Sequence, residues 1–173
     1  MSETSEESRR VSFGPRPDES PGRLGLIEAK VISEGAVVDV IEKTKDVLRA
    51  VLSMTLDELR SPSTGTARLP EWFVAACSPE RPPEAVEQWN VWWRGLDLEA
   101  RARAEDERSW TLADWLYWME PDERQWFWWD ARIDEDGGGT VLVEVLGWPS
   151  PTGALQWLLR AAGASSVHFA DTE

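Results

Sequence analysis

Hydrophobic side chains recur at three- and four-residue steps along several stretches of the chain, the spacing that places them on one face of a helix. The clearest stretch runs from Ala36 to Leu52. The helix predicted over Glu84–Arg94 carries Val86, Trp89 and Trp93 along one face. The same reasoning predicts helices over Glu71–Cys77, Leu96–Arg108, Leu112–Met119 and Pro151–Ala162. We expect the helix over Leu96–Arg108, which is charged and rich in alanine, to be largely solvated.

Residues that favour the ends of helices flank some of these predicted helices. Thr111 precedes one apolar stripe and Ser150-Pro151 precedes another, and serine and threonine caps commonly begin helices. Gly163 follows the last stripe as a stop. The stretch Ser61–Thr66 is composed of turn-forming residues and predicts a loop.

Strands are predicted where aromatic and β-branched residues dominate. Gln125–Ile133 and Thr140–Leu146 are the clearest, and the loop between them, which begins at Asp134 and contains three glycines, predicts a hairpin. Leu24–Ile32 alternates as a short strand, and Val167 with Phe169 predicts a last strand beside the hairpin.

These elements predict an α+β fold. A small, mainly antiparallel sheet, made of the hairpin at about 125–146 and a C-terminal strand, packs against several helices. A single tryptophan-rich domain is expected over residues 24–173. Residues 1–23 are polar, acidic and rich in proline and glycine, and we expect them to be a disordered tail.

The charge of the chain narrows the classes of partner. The sequence has 18 basic and 32 acidic residues, a net charge of −14. Binding to nucleic acid or to anionic lipid depends on lysine and arginine, so we expect neither a direct nucleic-acid partner nor a membrane partner. Residues 72–173 hold 8 basic and 19 acidic residues, no lysine, and all 12 tryptophans. A basic protein is the partner that this distribution favours.

The apolar runs are only a few residues long, whereas a membrane-spanning helix needs about 20. The first residues are acidic and polar, unlike a secretory leader. We therefore expect a cytosolic protein. Its oligomeric state is left open.

The predicted strand at Trp126–Trp129 concentrates aromatic side chains on both faces. Trp126 and Trp128 point one way, and Phe127 and Trp129 the other. Either elements cover both faces of the sheet, or one face presents indole rings to solvent. Glu144 on the partner strand favours a partly open face, which would mark a partner-binding site. The predicted site comprises Asp114, Glu120, Asp122, Glu123, Trp126, Trp128, Trp129 and Asp130.

The sequence offers few residues suited to catalysis or to metal binding. Cys77 and His168 are the only cysteine and histidine, and Cys77 lies in an apolar turn typical of an inert thiol. Two such ligands are too few for a zinc site. The acidic loop at Asp134–Gly137 resembles part of a calcium-binding loop, but Arg132 and Val143 would occupy its first and last ligand positions. No catalytic residue, metal ligand or cofactor is predicted.

These observations favour a cytosolic protein-interaction module with a basic protein partner. An immunity protein or antitoxin that blocks a cationic toxin is its most concrete form. Two alternatives stay open. One is an intracellular protein that binds or processes carbohydrate with tryptophans and carboxylates. The other is an acidic mimic of nucleic acid.

Overall fold

The computed structural model describes residues 3–23, 25–80, 82–107, 110–147 and 150–171. Leu24 and Arg108, where the pattern predicts the start of a strand and the end of a helix, lie outside the described residues, as do residues 1 and 2 of the expected tail.

The described residues form an α+β fold, as the sequence predicts. The helices are α1 (Glu3–Phe13), α2 (Val37–Leu52), α3 (Leu56–Leu59), α4 (Pro62–Arg68), α5 (Glu71–Ala76), α6 (Pro83–Arg94), α7 (Leu98–Glu107), α8 (Leu112–Tyr117) and α9 (Gly153–Ala161). The strands are β1 (Gly25–Ile32), β2 (Trp126–Ile133), β3 (Gly139–Val145) and β4 (Ser166–Asp171). Within this part of the chain, no helix has both the length and the apolar character needed to cross a bilayer.

The four strands lie in the order β2-β3-β1-β4, and each neighbouring pair is antiparallel. β2 and β3 form the predicted hairpin. Gly137 in its loop has a φ of 87°, a left-handed conformation that glycine adopts without steric cost. The C-terminal strand pairs with β1 rather than directly with the hairpin, since Val167 lies opposite Val31. The first strand is therefore central, between β3 and β4.

One face of the sheet carries the hydrophobic core, against which α2 and α9 pack. Alternation along each strand directs every second side chain to this face. The residues that share it, all 6% exposed or less, are Ile27, Ala29, Val31, Trp126, Trp128, Val141, Val143, Val145 and Val167. α2 contributes the predicted apolar stripe, with Val47 and Leu48 fully buried. Burying one such side chain contributes about 1.5–3 kcal/mol, so this face is the main source of stability.

A β-bulge at Trp129 keeps the correct residues on the core face. Trp128 pairs with Val143 and Asp130 pairs with Leu142, so Trp129 has no partner across the ladder. Strict alternation would place Asp130 on the core side with Trp128. The extra residue shifts the register, and Asp130 instead lies on the outer face.

A second apolar layer joins α4, α5 and α8 to the core. The rings of Phe73 and Trp115 lie 4.7 Å apart, edge to face, and the Trp115 indole N–H donates to the Ala154 carbonyl over 3.0 Å. The loop predicted over Ser61–Thr66 is wrong, because α4 occupies this stretch. A Cβ on Gly65 would lie 2.8 Å from a Leu116 methyl carbon, so this glycine permits α4 to approach α8 closely.

The two predicted helix caps differ in outcome. Thr111 is confirmed, since its hydroxyl accepts a hydrogen bond from the Asp114 amide over 3.1 Å. The cap at Ser150 is wrong. The helix begins at Gly153, and the Ser150 hydroxyl lies 3.3 Å from the Gln125 carbonyl, to which it donates. Gly163 follows the helix with a φ of 121°, as a helix stop.

The prediction of a disordered tail is wrong for residues 3–23. α1 packs against α2 and β2, and its Val11 is fully buried. Two charged residues of this segment are themselves buried, since Glu7 is 2% exposed and Arg10 is 7% exposed. Glu7 pairs with Arg124 and Arg10 lies near Glu144, partners far along the chain that composition alone does not reveal.

The side chains of α1 bind the free edge of β2. The Glu7 carboxylate accepts a hydrogen bond from the Trp128 amide over 2.8 Å, and the Arg10 Nε donates to the Trp128 carbonyl over 3.3 Å. The Arg124 guanidinium donates to both Glu7 oxygens, over 2.8 and 2.5 Å. Unpaired main-chain groups on an edge strand invite association with other chains, and here those of Trp128 are satisfied within the molecule.

We expect Glu7→Gln to destabilise the fold by about 3 kcal/mol, because it leaves the Arg124 guanidinium buried without a charged partner. The free energy of unfolding from urea denaturation measures this. Glu42→Gln is the matched control, since Glu42 is 55% exposed in its pair with Lys45 and its loss should cost less than about 0.5 kcal/mol. Equal stability losses in the two variants would contradict the role assigned to Glu7.

Glu19 makes a contribution to the stability of the fold that depends on pH. Partial burial raises the pKa of its carboxyl, but hydrogen bonds from the Arg16 amide and the Arg10 and Arg9 side chains outweigh it and lower the pKa from 4.5 to about 2. A lowered pKa means that the stabilisation is complete above pH 4.5 and is lost as the pH falls towards 2.

We therefore expect Glu19→Gln to be less stable than the unmodified chain at pH 7, with a difference that shrinks as the pH falls below 4.5. Urea midpoints of both proteins across this range test the trend, and carbon NMR of the Glu19 carboxyl reads its pKa directly. A stability difference that stays constant down to pH 3 would contradict the assignment.

Candidate functional site

The tryptophans of the predicted site are covered, so the alternative of an open indole face on β2 is wrong. Trp126 is 1% exposed, Trp128 is 0% exposed and Trp129 is 7% exposed. The first two lie in the core, and α2 packs against their strand. Trp129 lies on the other side against the Arg10 guanidinium, whose central carbon is 5.1 Å from the ring centroid.

Glu144, taken as a mark of an open face, is 1% exposed. It lies beneath the N-terminal segment, where it accepts hydrogen bonds from the Gly22 amide over 3.0 Å and from the Arg23 side chain over 3.2 Å. Arg10 lies 3.6 Å away as a second cation. The carboxylate is covered because residues 14–23 cross the sheet there, which the disordered-tail prediction left out.

The acidic members of the predicted site are dispersed. Glu120 is 8% exposed and pairs with Arg60 over 3.1 Å. Asp130 is half-buried opposite Leu142. Asp122 is exposed, Glu123 is half-buried, and Asp114 is half-buried in the first turn of α8. The structure does not gather these carboxylates around the β2 indoles.

Exposed aromatic surface lies instead on α6, which has no buried residue although it carries three tryptophans. Trp92 is 53% exposed, Val91 is 64% exposed and Val86 is 43% exposed. Glu84 and Glu87 on the same helix are exposed as well. We call these five residues the α6 surface. The sequence signal for the exposure of Val91 and Trp92 is that both lie off the predicted apolar stripe of α6.

Polar contacts, rather than core packing, hold α6 and α7 in place. The Arg101 side chain donates to the Arg94 carbonyl over 2.9 Å and stacks on Trp93, 4.5 Å from the ring centroid. Before α6, the Ser78 amide donates to the Trp110 carbonyl over 2.8 Å. The Arg101 cation also interacts favourably with the negative C-terminal end of the α6 dipole. Arg101 thus joins α7 to the end of α6, while no residue of α6 is buried.

A cavity of about 320 Å³ lies between α6 and α8. Its aromatic lining is Trp89, Tyr117 and Trp118, and Glu80 and Asp114 are its two carboxylates. Val86, Asn90 and Thr111 complete the described lining. The Glu80 carboxylate also accepts a hydrogen bond from the Ala113 amide over 3.0 Å, which fixes it at the start of α8. Asp114 is the one residue of the predicted site that lines this cavity.

Acids outside the cavity lining act on the Tyr117 phenol at its rim. The charge of Glu123 is the main cause that raises the pKa of this phenol above its ordinary value, and partial burial and Glu120 add to the shift. Tyr117 itself is 47% exposed.

A second cavity, of about 420 Å³, lies between α1 and the end of α2. It contains two arginines, Arg23 and Arg124. Both cations already pair with buried carboxylates, Arg23 with Glu144 and Arg124 with Glu7. Their charges are thus matched within the fold, and the cavity offers no unmatched charge to a ligand.

Cys77 and His168 lie in different parts of the fold. Cys77 follows α5, and burial raises the pKa of its thiol to about 11. His168 is exposed on β4, where its Nε2 lies 2.7 Å from the Ser166 hydroxyl oxygen. Among the described residues, no three histidines, cysteines or acids are arranged to hold a metal ion.

Comparison with known proteins adds no assignment: no family model matches the chain, and no curated protein or solved structure is significantly similar to it. The candidate site therefore has to be argued from its own residues.

We expect the Cys77 thiol to react slowly with iodoacetamide at pH 7.5, since only the thiolate is nucleophilic and a pKa of about 11 leaves little of it. The rate should rise about tenfold per pH unit towards pH 10. Mass spectrometry of the folded chain follows the reaction. A rate that levels off near pH 8 would show an ordinary or activated thiol.

Proposed function

We propose that this chain is a protein-interaction module that binds a basic protein partner through the α6 surface. The observation that carries the proposal is that α6 has no buried residue although it bears three tryptophans and two valines. Large aromatic side chains are enriched among the residues that dominate binding free energy at interfaces.

Covering Trp92 would supply a substantial part of that free energy. Its side chain is 53% exposed, and a tryptophan can bury 150–250 Å². Removing the exposed half from water is therefore worth about 2–3 kcal/mol. Val91, which is 64% exposed, adds to the same patch.

The charge around this patch supports a basic partner. Glu84 and Glu87 are exposed on α6, and the net charge of the whole chain is −14. Complementary charge accelerates association and disfavours acidic competitors, while the aromatic anchors supply affinity. The masking of a cationic toxin by an immunity protein or antitoxin is a concrete form of this function.

A photo-crosslinking residue at position 92 tests the proposal in cells of the source organism. We expect it to capture one basic protein, and the yield should fall with added salt because the encounter is electrostatic. The same residue at position 38 is the control, since Val38 on α2 is 48% exposed and is not part of the α6 surface. Capture of acidic proteins only, or equal capture from both positions, would overturn the proposal.

Capture that is insensitive to salt and is abolished by a soluble sugar would instead favour the carbohydrate-binding alternative. Competition by DNA or RNA for the captured protein would favour the acidic mimic. Both alternatives stay predictions from the sequence.

Substitution on this surface should weaken binding while the chain stays folded. We expect Trp92→Ser to lower the free energy of unfolding by about 1–2 kcal/mol, because Trp92 is 53% exposed and the rest of its side chain is already covered within the fold. Affinity for the captured partner should fall about 30-fold, the effect of losing one interfacial anchor. Val38→Ser is the matched control and should leave both quantities unchanged. Urea denaturation and calorimetric titration measure them.

A further inference from the structure

We infer that the cavity between α1 and the end of α2 binds a small, uncharged molecule with an aliphatic body and a polar end, of the class of medium-chain alcohols. The volume of the cavity is about 420 Å³. Ligand pockets in proteins typically measure about 300–1,000 Å³, so the space suits a small molecule. The described lining shares no residue with the α6 surface, and the inference is therefore independent of the proposed function.

The buried part of the lining, which we call the cavity floor, is aliphatic. Its apolar members, all 8% exposed or less, are Val51, Met54, Leu59 and Met119. They come from α2, from α3 and from the residues that follow α2 and α8, so the floor is fixed by separate parts of the chain. Methionine side chains adapt to the shape of what they contact. Covering this floor with the carbons of a ligand removes apolar surface from water, which favours binding.

The aromatic ring of the described lining is already occupied by cations. The central carbon of the Arg23 guanidinium lies 3.7 Å from the Phe127 ring centroid, and that of Arg124 lies 4.8 Å from it. A ring in contact with two guanidinium groups has less of its face free to stack on a planar ligand. The lining therefore favours an aliphatic ligand over an aromatic one.

The charges of the described lining cancel, which favours an uncharged ligand. They belong to two acids, Glu3 and Glu7, and two arginines, Arg23 and Arg124. The Arg124 guanidinium lies 2.5 Å from the Glu7 carboxylate. Arg23 lies 3.2 Å from Glu144 and 3.4 Å from Glu3. An ion would leave water without gaining an unmatched counter-charge, a cost that an uncharged molecule does not incur.

Exposed residues of the lining form the entrance. Leu146 is 49% exposed, and Pro121 and Thr4 are exposed as well. The Thr4 hydroxyl can donate or accept a hydrogen bond there. A molecule whose aliphatic body lies on the floor can thus keep a hydroxyl group at the entrance, in contact with Thr4 and with water.

Octanol tests the cavity on the full chain, with octanoate as the anion of equal chain length. Two of the three methionines of the chain, Met54 and Met119, line the cavity, so carbon-13 labels on the methionine methyl groups report on it. Met54→Leu and Met119→Leu assign the two resonances. We expect octanol to shift both with saturation, and octanoate to bind about tenfold more weakly because its charge has no unmatched partner.

A variant at the entrance locates the binding. Leu146→Ser should weaken octanol binding roughly fivefold, because about half of this side chain is left for a ligand to cover. Ile133→Ser is the matched control, since Ile133 at the end of β2 is 51% exposed and is not part of the described lining. It should leave octanol binding unchanged. Circular dichroism verifies that each variant keeps its secondary structure.

Three results would overturn the inference. The first is methionine shifts that are absent or that grow with octanol without saturation. The second is octanoate binding as tight as that of octanol, which would mark an anion site. The third is equal weakening by Leu146→Ser and Ile133→Ser. Each is separate from the crosslinking at position 92, so this inference and the proposed function can fail independently.

Discussion

The hydrogen bonds of the buried Glu7 carboxylate join three parts of the fold that are distant in sequence. Its oxygens bind the main-chain amide of Trp128 on β2 and the guanidinium of Arg124 just before that strand. This arrangement places α1 along the edge of the sheet and directs residues 14–23 across its outer face. The burial of Glu144 and Trp129 follows from that course, because the same segment supplies Arg10 and Arg23 to them.

The elements with a strong local period could be predicted from the sequence. The stripe of α2, the β2–β3 hairpin and the Thr111 cap are all set by residues that lie within a few positions of one another. The course of residues 3–23 could not be predicted in this way. Glu7 and Arg124 are 117 positions apart, so a segment that reads as polar and solvated becomes buried only when its partner is brought to it.

The residues of the candidate site also divide into those that the sequence could predict and those that it could not. The aromatic residues of β2 are compatible with either a buried or an exposed strand. The strand is buried because α1 and α2 pack against it. Asp114 was identified from its neighbours in sequence, and the structure places it in the α6–α8 cavity. Tyr117 and Trp118 were missed as site residues, because their relevance depends on a helix that begins 34 positions before Tyr117. Composition therefore predicted an interaction site on β2, and the tertiary arrangement buries the tryptophans of that strand.

The loose attachment of α6 separates the residues needed for stability from those proposed for recognition, two requirements that usually act on the same residues. None of the α6 residues is buried, and Val91 and Trp92 are both more than half exposed, so substitutions there leave the hydrophobic core intact. If the proposed function holds, single substitutions on α6 would change the partner that is recognised while the protein still folds. New specificity would then arise most readily on α6, while the Glu7 network stays under the constraint of stability.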